Sequence, residues 1–192
     1  EEEIAVRNMI LEEQPEILIQ CIDAGQLNQS LLLTADLLGL EIPLCIVLSG
    51  IDEARQKGSE VNSKALARFL GVPVVESDPI LGKGSEDLKN AIVNACKGSG
   101  PKYGYGIESA TIEVAALLPF EQKFKHKIAF LLLAKDPYLE KYLAEKFGEA
   151  IVGSLLSEIN AQRRHFKSNI EGLIVDERSL WVNKVAAASV RK

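Results

Sequence analysis

The hydrophobic positions follow different patterns in the two halves of the chain. Between residues 16 and 97, short apolar runs rich in β-branched residues alternate with segments of helical spacing. Runs of this length and composition are typical of parallel strands that are buried on both faces. The three runs are Ile17 to Ile22, Leu44 to Leu48 and Val72 to Val75. Their alternation with helices predicts part of a parallel α/β sheet with right-handed crossovers.

The helices that separate these strands are predicted from polar residues that can cap them. Each candidate precedes a segment in which apolar residues recur on one helical face. The predicted caps are Ser30, Asn62 or Ser63, and Ser85. The first ten residues also have a helical pattern, which Pro15 ends.

The second half of the chain contains helical spacing without strand alternation. A stretch rich in glycine, residues 98–106, separates it from the first half and is typical of a linker. Asp136 followed by Pro137 predicts a capped helix start, and residues 151–166 and 176–190 predict two further helices. We therefore predict an α/β domain over 1–97, a linker over 98–106 and an all-α helical bundle over 107–192.

Composition and charge exclude several classes of protein. The net charge of −5 argues against a nucleic-acid-binding protein, which usually concentrates Lys and Arg on one face. The longest apolar stretch, Ile128 to Ala134, is far shorter than the roughly 20 residues that cross a bilayer, so we expect a soluble segment. The chain begins without Met, as expected for a piece of a longer protein. Cys21, Cys45 and Cys96 lack metal-ligand spacing and are expected to be buried free thiols. We expect no metal ligands and no catalytic residues.

The sequence that follows the second predicted strand is the main candidate for ligand binding. It reads Ser49-Gly50-Ile51-Asp52, and open parallel sheets bind ligands beyond the carboxyl ends of their strands. A carboxylate there can accept hydrogen bonds from N1 and the exocyclic amine of guanine, a pattern that adenine does not offer. On this residue alone, a cap of the following helix is the favoured interpretation of Asp52, because Asp often caps the helix that follows such a strand.

A longer set of residues resembles the ferrous iron transport protein B family. The similar segments are Glu2 to Pro15, Ile17 to Leu38, Ile42-Pro43, Leu48 to Ala54, Leu70 to Val75, Gly82 to Ile92 and Ile174 to Val185. The resemblance implies that residues 1–97 are the rear half of a guanine-nucleotide-binding domain of the P-loop GTPase type. It implies that the helical domain follows, and that the segment lies at the cytoplasmic face of a bacterial or archaeal inner membrane.

The resemblance also implies a ligand and a set of site residues. GTP or GDP is the expected cofactor, and Ser49, Asp52, Ser77 and Asp78 are the expected residues around its base. The family has Asn-Met-x-Asp where this chain has Ser49-Gly50-Ile51-Asp52, and Asp78-Pro79 departs from its second base-side loop. The phosphate-binding motif Gly-x-x-x-x-Gly-Lys-Ser/Thr is absent from the sequence, so Mg²⁺ is expected only in the intact domain and no GTP hydrolysis is expected of this segment alone.

The partners that the resemblance implies lie mostly outside this segment. They are the protein's own membrane-spanning portion, small accessory transport subunits and further copies of the chain, with Fe²⁺ as the transported ion of the full-length protein rather than a ligand here. Two alternatives remain: an interaction module that has lost nucleotide binding, and another GTPase of the translation-factor or tRNA-modifying class. The absence of a basic face disfavours the latter.

Overall fold

The chain is described from a computed structural model that defines residues 2–78, 82–104, 106–119, 124–166 and 169–191. Its Cα positions form two compact units, and each is described by itself. The α/β unit comprises Pro15–Pro101 and Arg178–Lys192, and the helical unit comprises Glu1–Gln14 and Lys102–Glu177. The domain limits predicted from the sequence stay a prediction, because a packing unit and a sequence domain are different divisions of a chain.

The order of elements agrees with an α/β segment followed by a helical one. The helices are α1 (Glu2–Glu13), α2 (Leu27–Leu38), α3 (Ile51–Gln56), α4 (Ser63–Leu70), α5 (Ser85–Val93), α6 (Ile107–Leu117), α7 (Lys125–Leu133), α8 (Pro137–Phe147), α9 (Glu149–Arg163) and α10 (Ile170–Ser189). The strands are β1 (Leu18–Asp23), β2 (Leu44–Ser49), β3 (Glu60–Val61), β4 (Val74–Glu76) and β5 (Val190–Arg191). A single 3-10 turn covers Ala24–Gln26.

The main sheet of the α/β unit is parallel, with the described strands in the order β1-β2-β4. Leu18 lies opposite Leu44, and Ile46 lies opposite Val74. Residues Leu44 to Leu48 of the central strand are all buried, as the continuous apolar run predicts. The predicted fold class is confirmed: a partial parallel sheet with helices, followed by a helical domain, although the short strand β5 ends the described chain.

The last turns of α10 belong to the α/β unit. After this helix, β5 pairs antiparallel with β3, and the Asn62 N–H donates to the Ser189 carbonyl at 2.7 Å. Trp181 meets the Phe69 ring edge to face, with 6.5 Å between centroids. Arg178 forms an ion pair with Asp36 on α2, with 2.7 Å between Nη2 and Oδ1. The predicted helix over 176–190 therefore exists but begins earlier, at Ile170.

Two of the predicted helix caps are confirmed and two are wrong. The Asn62 side chain accepts from the Ala65 N–H at 2.9 Å, and the Asp136 side chain accepts from the Leu139 N–H at 2.8 Å. Ser30 instead lies inside α2, because the turn over Ala24–Gln26 leads directly into this helix. Ser85 is the first residue of α5, and its cap position is taken by Gly84.

The helical unit is built around α7. The residues of this helix from Lys127 to Leu133 are all buried, and α6, α8 and α9 pack against it. Arg163 of α9 donates from Nε to the Leu133 carbonyl at 3.3 Å and from Nη2 to the Leu132 carbonyl. These contacts reach carbonyls in the last turn of α7, where the regular helical bonding ends; the Leu132 carbonyl also accepts from the Lys135 N–H at 3.0 Å. Arg163 also lies 3.4 Å from a carboxylate oxygen of Glu140.

The predicted linker begins inside the packed α/β unit. A Cβ atom on Gly98 would lie 2.5 Å from the Leu70 carbonyl oxygen and 2.5 Å from Cγ1 of Val72, closer than real Cβ atoms approach. The Ser99 N–H donates to the Leu70 carbonyl at 2.8 Å. Further along, the Tyr103 ring contacts Phe130 in the helical unit, with 4.7 Å between centroids. Glycine at position 98 therefore serves close packing.

The three cysteines are free, but they differ in exposure. Cys45 is buried in the central strand, and this burial raises the pKa of its thiol. Cys21 and Cys96 are exposed, so the expectation that all three thiols are buried was wrong for these two. Cys21 lies on β1, which borders only one other strand among the described residues.

Among the residues that the structure describes, no helix combines the length and apolarity that a membrane span requires.

Candidate functional site

Polar residues lie at or just beyond the carboxyl ends of the three described parallel strands of the α/β unit. Asp23, the last residue of β1, lies directly opposite Ser49, the last residue of β2. The Ser77 N–H, just beyond β4, donates to the Leu48 carbonyl at 2.9 Å. The fold therefore brings the predicted site residues Ser49 and Ser77 to neighbouring positions at the carboxyl edge, where open α/β sheets bind their ligands.

The segment from Ser49 to Asp52, which we call the base loop, runs from the last residue of β2 into the first turn of α3. The Ser49 hydroxyl donates to the Ile22 carbonyl of β1 at 3.2 Å, so it ties the start of the loop to the neighbouring strand. Gly50 has a φ of 67°, a left-handed conformation that glycine adopts without a steric penalty. Its carbonyl then accepts from the Ala54 N–H at 2.9 Å and begins the helix.

Asp52 lies in the first turn of α3 with an exposed carboxylate. Its side chain is 78% exposed, and Oδ1 is 3.5 Å from Nη1 of Arg55. Nη2 of Arg55 is also 3.7 Å from a carboxylate oxygen of Glu60. An exposed pair of this kind contributes about 0 to 1 kcal/mol, so releasing Asp52 to another hydrogen-bond donor costs little. The cap position of α3 is Gly50, and Asp52 lies inside the helix in its first turn, so Asp52 is not the cap residue of α3.

The second predicted loop, after β4, is closed by a pair of backbone hydrogen bonds. The Asp78 N–H donates to the Lys83 carbonyl at 3.2 Å, and the Lys83 N–H donates to the Asp78 carbonyl at 3.0 Å. The Ser77 hydroxyl also donates to the Lys83 carbonyl, at 3.2 Å. Pro79, the other residue that departs from the family pattern, lies outside the described residues. The structure thus holds Ser77 and Asp78 in a turn at the same strand edge.

A cavity of about 760 Å³ lies near this edge of the α/β unit but does not include the predicted site residues. It is lined by the turn after β1, the start of α2, Ser59, and Ala186, Ala187 and Val190 near the end of the chain. Its lining side chains are uncharged, with Gln26, Asn28 and Gln29 as the longest polar ones. The cavity therefore offers amides and hydroxyls rather than charges to a ligand.

Asp23 and Gly50 are features of this edge that the sequence did not identify as functional. Asp23 accepts from the Gly25 N–H at 2.8 Å and so caps the turn after β1. Nothing in the sequence connects this turn with Gly50. The signal that could have found it is the register of β1 and β2, which sets Asp23 beside Ser49.

The described residues do not assemble a metal site. Over the defined ranges, no group of three or more His, Cys, Asp or Glu side chains is arranged to hold a metal ion. The residues at the strand edge offer acceptors suited to a base, but the sequence has no phosphate-binding motif to which Mg²⁺ could be assigned. We therefore assign no phosphate or Mg²⁺ contact to this chain.

Comparison with known protein families and sequences covers nearly the whole chain. Residues 1–92 match the family described as ferrous iron transport protein B, and residues 103–191 match the FeoB cytosolic helical domain. An Fe(2+) transport protein A/Fe(2+) transporter FeoB fusion protein of Porphyromonas gingivalis is 27% identical in an alignment 159 residues long, which covers 76% of this chain and 19% of that protein. The Fe(2+) transporter FeoB of Salmonella typhimurium is 38% identical over 92 residues, 48% of this chain and 12% of that protein. The chain thus spans less than a fifth of the length of these relatives.

Solved structures show the same fold. The cytosolic domain of L. pneumophila FeoB matches with a TM-score of 0.79 at 17% identity, over 97% of this chain and 72% of that one. A point mutant of S. thermophilus NFeoB bound to GDP matches with a TM-score of 0.79 at 22% identity, over 97% and 73%. The class of protein is therefore an α/β segment of the G-domain fold followed by a helical domain. With both of its regions matched in order, the chain belongs to the ferrous iron transport protein B family.

Proposed function

We propose that this chain is part of the cytosolic portion of a ferrous iron transporter and that its α/β unit supplies the base-recognition side of a guanine-nucleotide site. The observation that carries the proposal is the placement of Asp52, an exposed carboxylate in the first turn after the central parallel strand. Relatives of this fold are solved with GDP and with a GTP analogue, mGMPPNP, bound. Their nucleotide supports the same class of ligand here.

The proposed contact uses Asp52 directly and its neighbours indirectly. The carboxylate accepts hydrogen bonds from N1 and the exocyclic amine of guanine, while Ser49 holds the start of the base loop through its bond to Ile22. Ser77 and Asp78 form the adjacent turn on the base side. In this proposal the phosphate-binding residues and Mg²⁺ ligands come from outside the 192 residues, and nucleotide state acts on a membrane-spanning portion that transports Fe²⁺.

Calorimetric titration with GDP and ADP tests this proposal in a longer form of the protein that includes residues preceding Glu1. We expect GDP to bind in roughly the micromolar range and ADP not to bind measurably. Asp52→Asn should weaken GDP binding about tenfold or more, because the amide directs N–H groups toward the donors of guanine. Glu53→Gln is the matched control: it removes the neighbouring acid of the same helical turn, and GDP affinity should stay within about twofold.

A second candidate function is an interaction module without nucleotide binding. It is favoured by Ser49, which replaces the Asn of the family pattern, and by Asp78-Pro79, which departs from the second base-side loop of the family. A folded longer form that binds neither GDP nor ADP would support this candidate and contradict guanine recognition. The small accessory subunits and self-association implied by the resemblance would then be the first partners to assay.

A further inference from the structure

The base loop packs against the carboxylate of Asp23. A Cβ atom on Gly50 would lie 2.7 Å from Oδ1 of Asp23 and 3.6 Å from its Cγ. Contacts under 3.0 Å are essentially never seen for real Cβ atoms, so a side chain at position 50 would require this carboxylate to shift. The left-handed φ of 67° at Gly50 adds a second reason for glycine.

The same carboxylate oxygen also holds the turn that follows β1. Oδ1 of Asp23 accepts from the Gly25 N–H at 2.8 Å, and a Cβ on Gly25 would lie 3.3 Å from that oxygen. This turn packs against α3, the helix whose first turn carries Asp52. One oxygen therefore lies between the turn after β1 and the backbone of the base loop.

A hydrogen bond between Ser49 and Ile22 also holds the start of the base loop. The Ser49 hydroxyl donates to the Ile22 carbonyl, so the ends of β1 and β2 are joined by a side chain as well as by their register. Ser49 and Gly50 are also the two positions at which this chain departs from the family pattern at the loop. A larger residue at position 50 would force the Asp23 carboxylate to move, so the glycine and the carboxylate depend on each other.

We infer that Asp23 is a positioning residue for base recognition: its carboxylate sets the position of Gly50 and thereby the direction in which Asp52 presents its acceptor atoms. This inference rests on the proposed guanine site and names a residue that acts on it from the neighbouring strand. A misplacement of about 1 Å is enough to weaken a directional contact strongly.

The test compares GDP with inosine diphosphate, which lacks the exocyclic amine of guanine. The ratio of the two affinities reports the contact that Asp52 makes with this amine, whereas partial unfolding lowers both affinities together. In the longer form of the protein, Asp23→Ala should reduce the preference for GDP about fivefold or more. Asp23→Asn keeps an oxygen acceptor for the Gly25 N–H and should retain most of the preference.

A second pair of variants keeps the inference testable if Asp23→Ala unfolds the protein. Gly50→Ala introduces both a strained backbone and a contact with Asp23, whereas Gly58→Ala introduces only strain, because Gly58 has a φ of 81° and no atom within 4 Å of an added Cβ. We expect Gly50→Ala to reduce the GDP preference and Gly58→Ala to leave it unchanged. Thermal unfolding of each variant measures the structural cost separately.

Each outcome decides between the two proposals. If the unmodified protein shows no preference for GDP over inosine diphosphate, this result contradicts the guanine site and therefore also the role of Asp23. A clear preference that survives both Asp23→Ala and Gly50→Ala overturns the role of Asp23 alone. Equal losses for the two nucleotides in these variants also overturn it, because Asp23 would then act on stability only.

Discussion

The α/β unit and the helical unit place their polar groups in different surroundings. In the α/β unit the central strand is apolar and buried, and the polar residues Asp23, Ser49 and Ser77 come at the strand ends. In the helical unit a charged side chain reaches inward: Arg163, whose side chain is 11% exposed, binds the end of α7. The comparison teaches that these side chains bind backbone groups in both units, but in the α/β unit they do so where the strands end, near the exposed carboxylate of Asp52, whereas Arg163 does so with a largely buried side chain.

The largest expected effect comes from the core of the sheet. Ile46→Ala removes a fully buried side chain from β2 and should lower the free energy of unfolding by about 2 to 5 kcal/mol. Ile19→Ala on β1 is the matched control, because this side chain is 47% exposed, and it should cost less than about 1 kcal/mol. Urea unfolding followed by circular dichroism measures both. Equal costs would mean that the buried central strand does not dominate the stability of this unit.

An intermediate effect is expected at Arg163. Arg163→Ala leaves the carbonyls of Leu132 and Leu133 without this donor and should lower the free energy of unfolding by about 1 to 3 kcal/mol. Arg163→Lys should recover only part of the loss, since an ammonium cannot reproduce the planar fork of a guanidinium. Arg164→Ala removes an exposed neighbour of the same charge and should stay within about 0.5 kcal/mol of the unmodified protein. A smaller cost at Arg163 than at Arg164 would contradict a structural role for this arginine.

The smallest expected effect concerns the ion pair between Arg178 and Asp36. A double-mutant cycle with Arg178→Ala and Asp36→Ala should give a coupling free energy of about 1 kcal/mol, because both side chains are only about a quarter exposed and the oxygen and nitrogen lie 2.7 Å apart. The exposed pair of Glu86 and Lys89 is the reference and should give about 0.3 kcal/mol. Raising the salt concentration to about 1 M should shrink the reference coupling more. Indistinguishable couplings would show that partial burial adds nothing to the first pair.

Local signals in the sequence predicted much of the α/β unit. The central strand and the Asn62 cap were both correct, because continuous apolar runs and polar side chains before a helix act within a few residues. The predicted start of α2 was wrong, because the turn capped by Asp23 leads directly into this helix and places Ser30 inside it. In the helical unit α7 was not predicted, because a helix buried on all sides has no amphipathic stripe.

The candidate site was predictable only where the family pattern or strand position pointed to it. Asp52 and Ser49 follow the central strand in sequence, so a linear pattern suffices to nominate them. The approach of Asp23 to Gly50 depends on the pairing register of two strands and on the absence of one side chain, which a linear pattern does not record. The binding roles of Ser49, Asp52, Ser77 and Asp78 stay predictions until the titrations are made.

The packing of Gly98 has a practical consequence for dividing or labelling this protein. A stretch with so many glycines would normally be chosen for a reporter insertion or a cut between halves. Because Gly98 fills a space bounded by Leu38, Leu70 and Val72, an insertion there would open the core of the α/β unit instead of lengthening a spacer. An insertion between Pro101 and Lys102 avoids this space, whereas two halves expressed separately from that point would part the α/β unit from Arg178–Lys192, which belong to it.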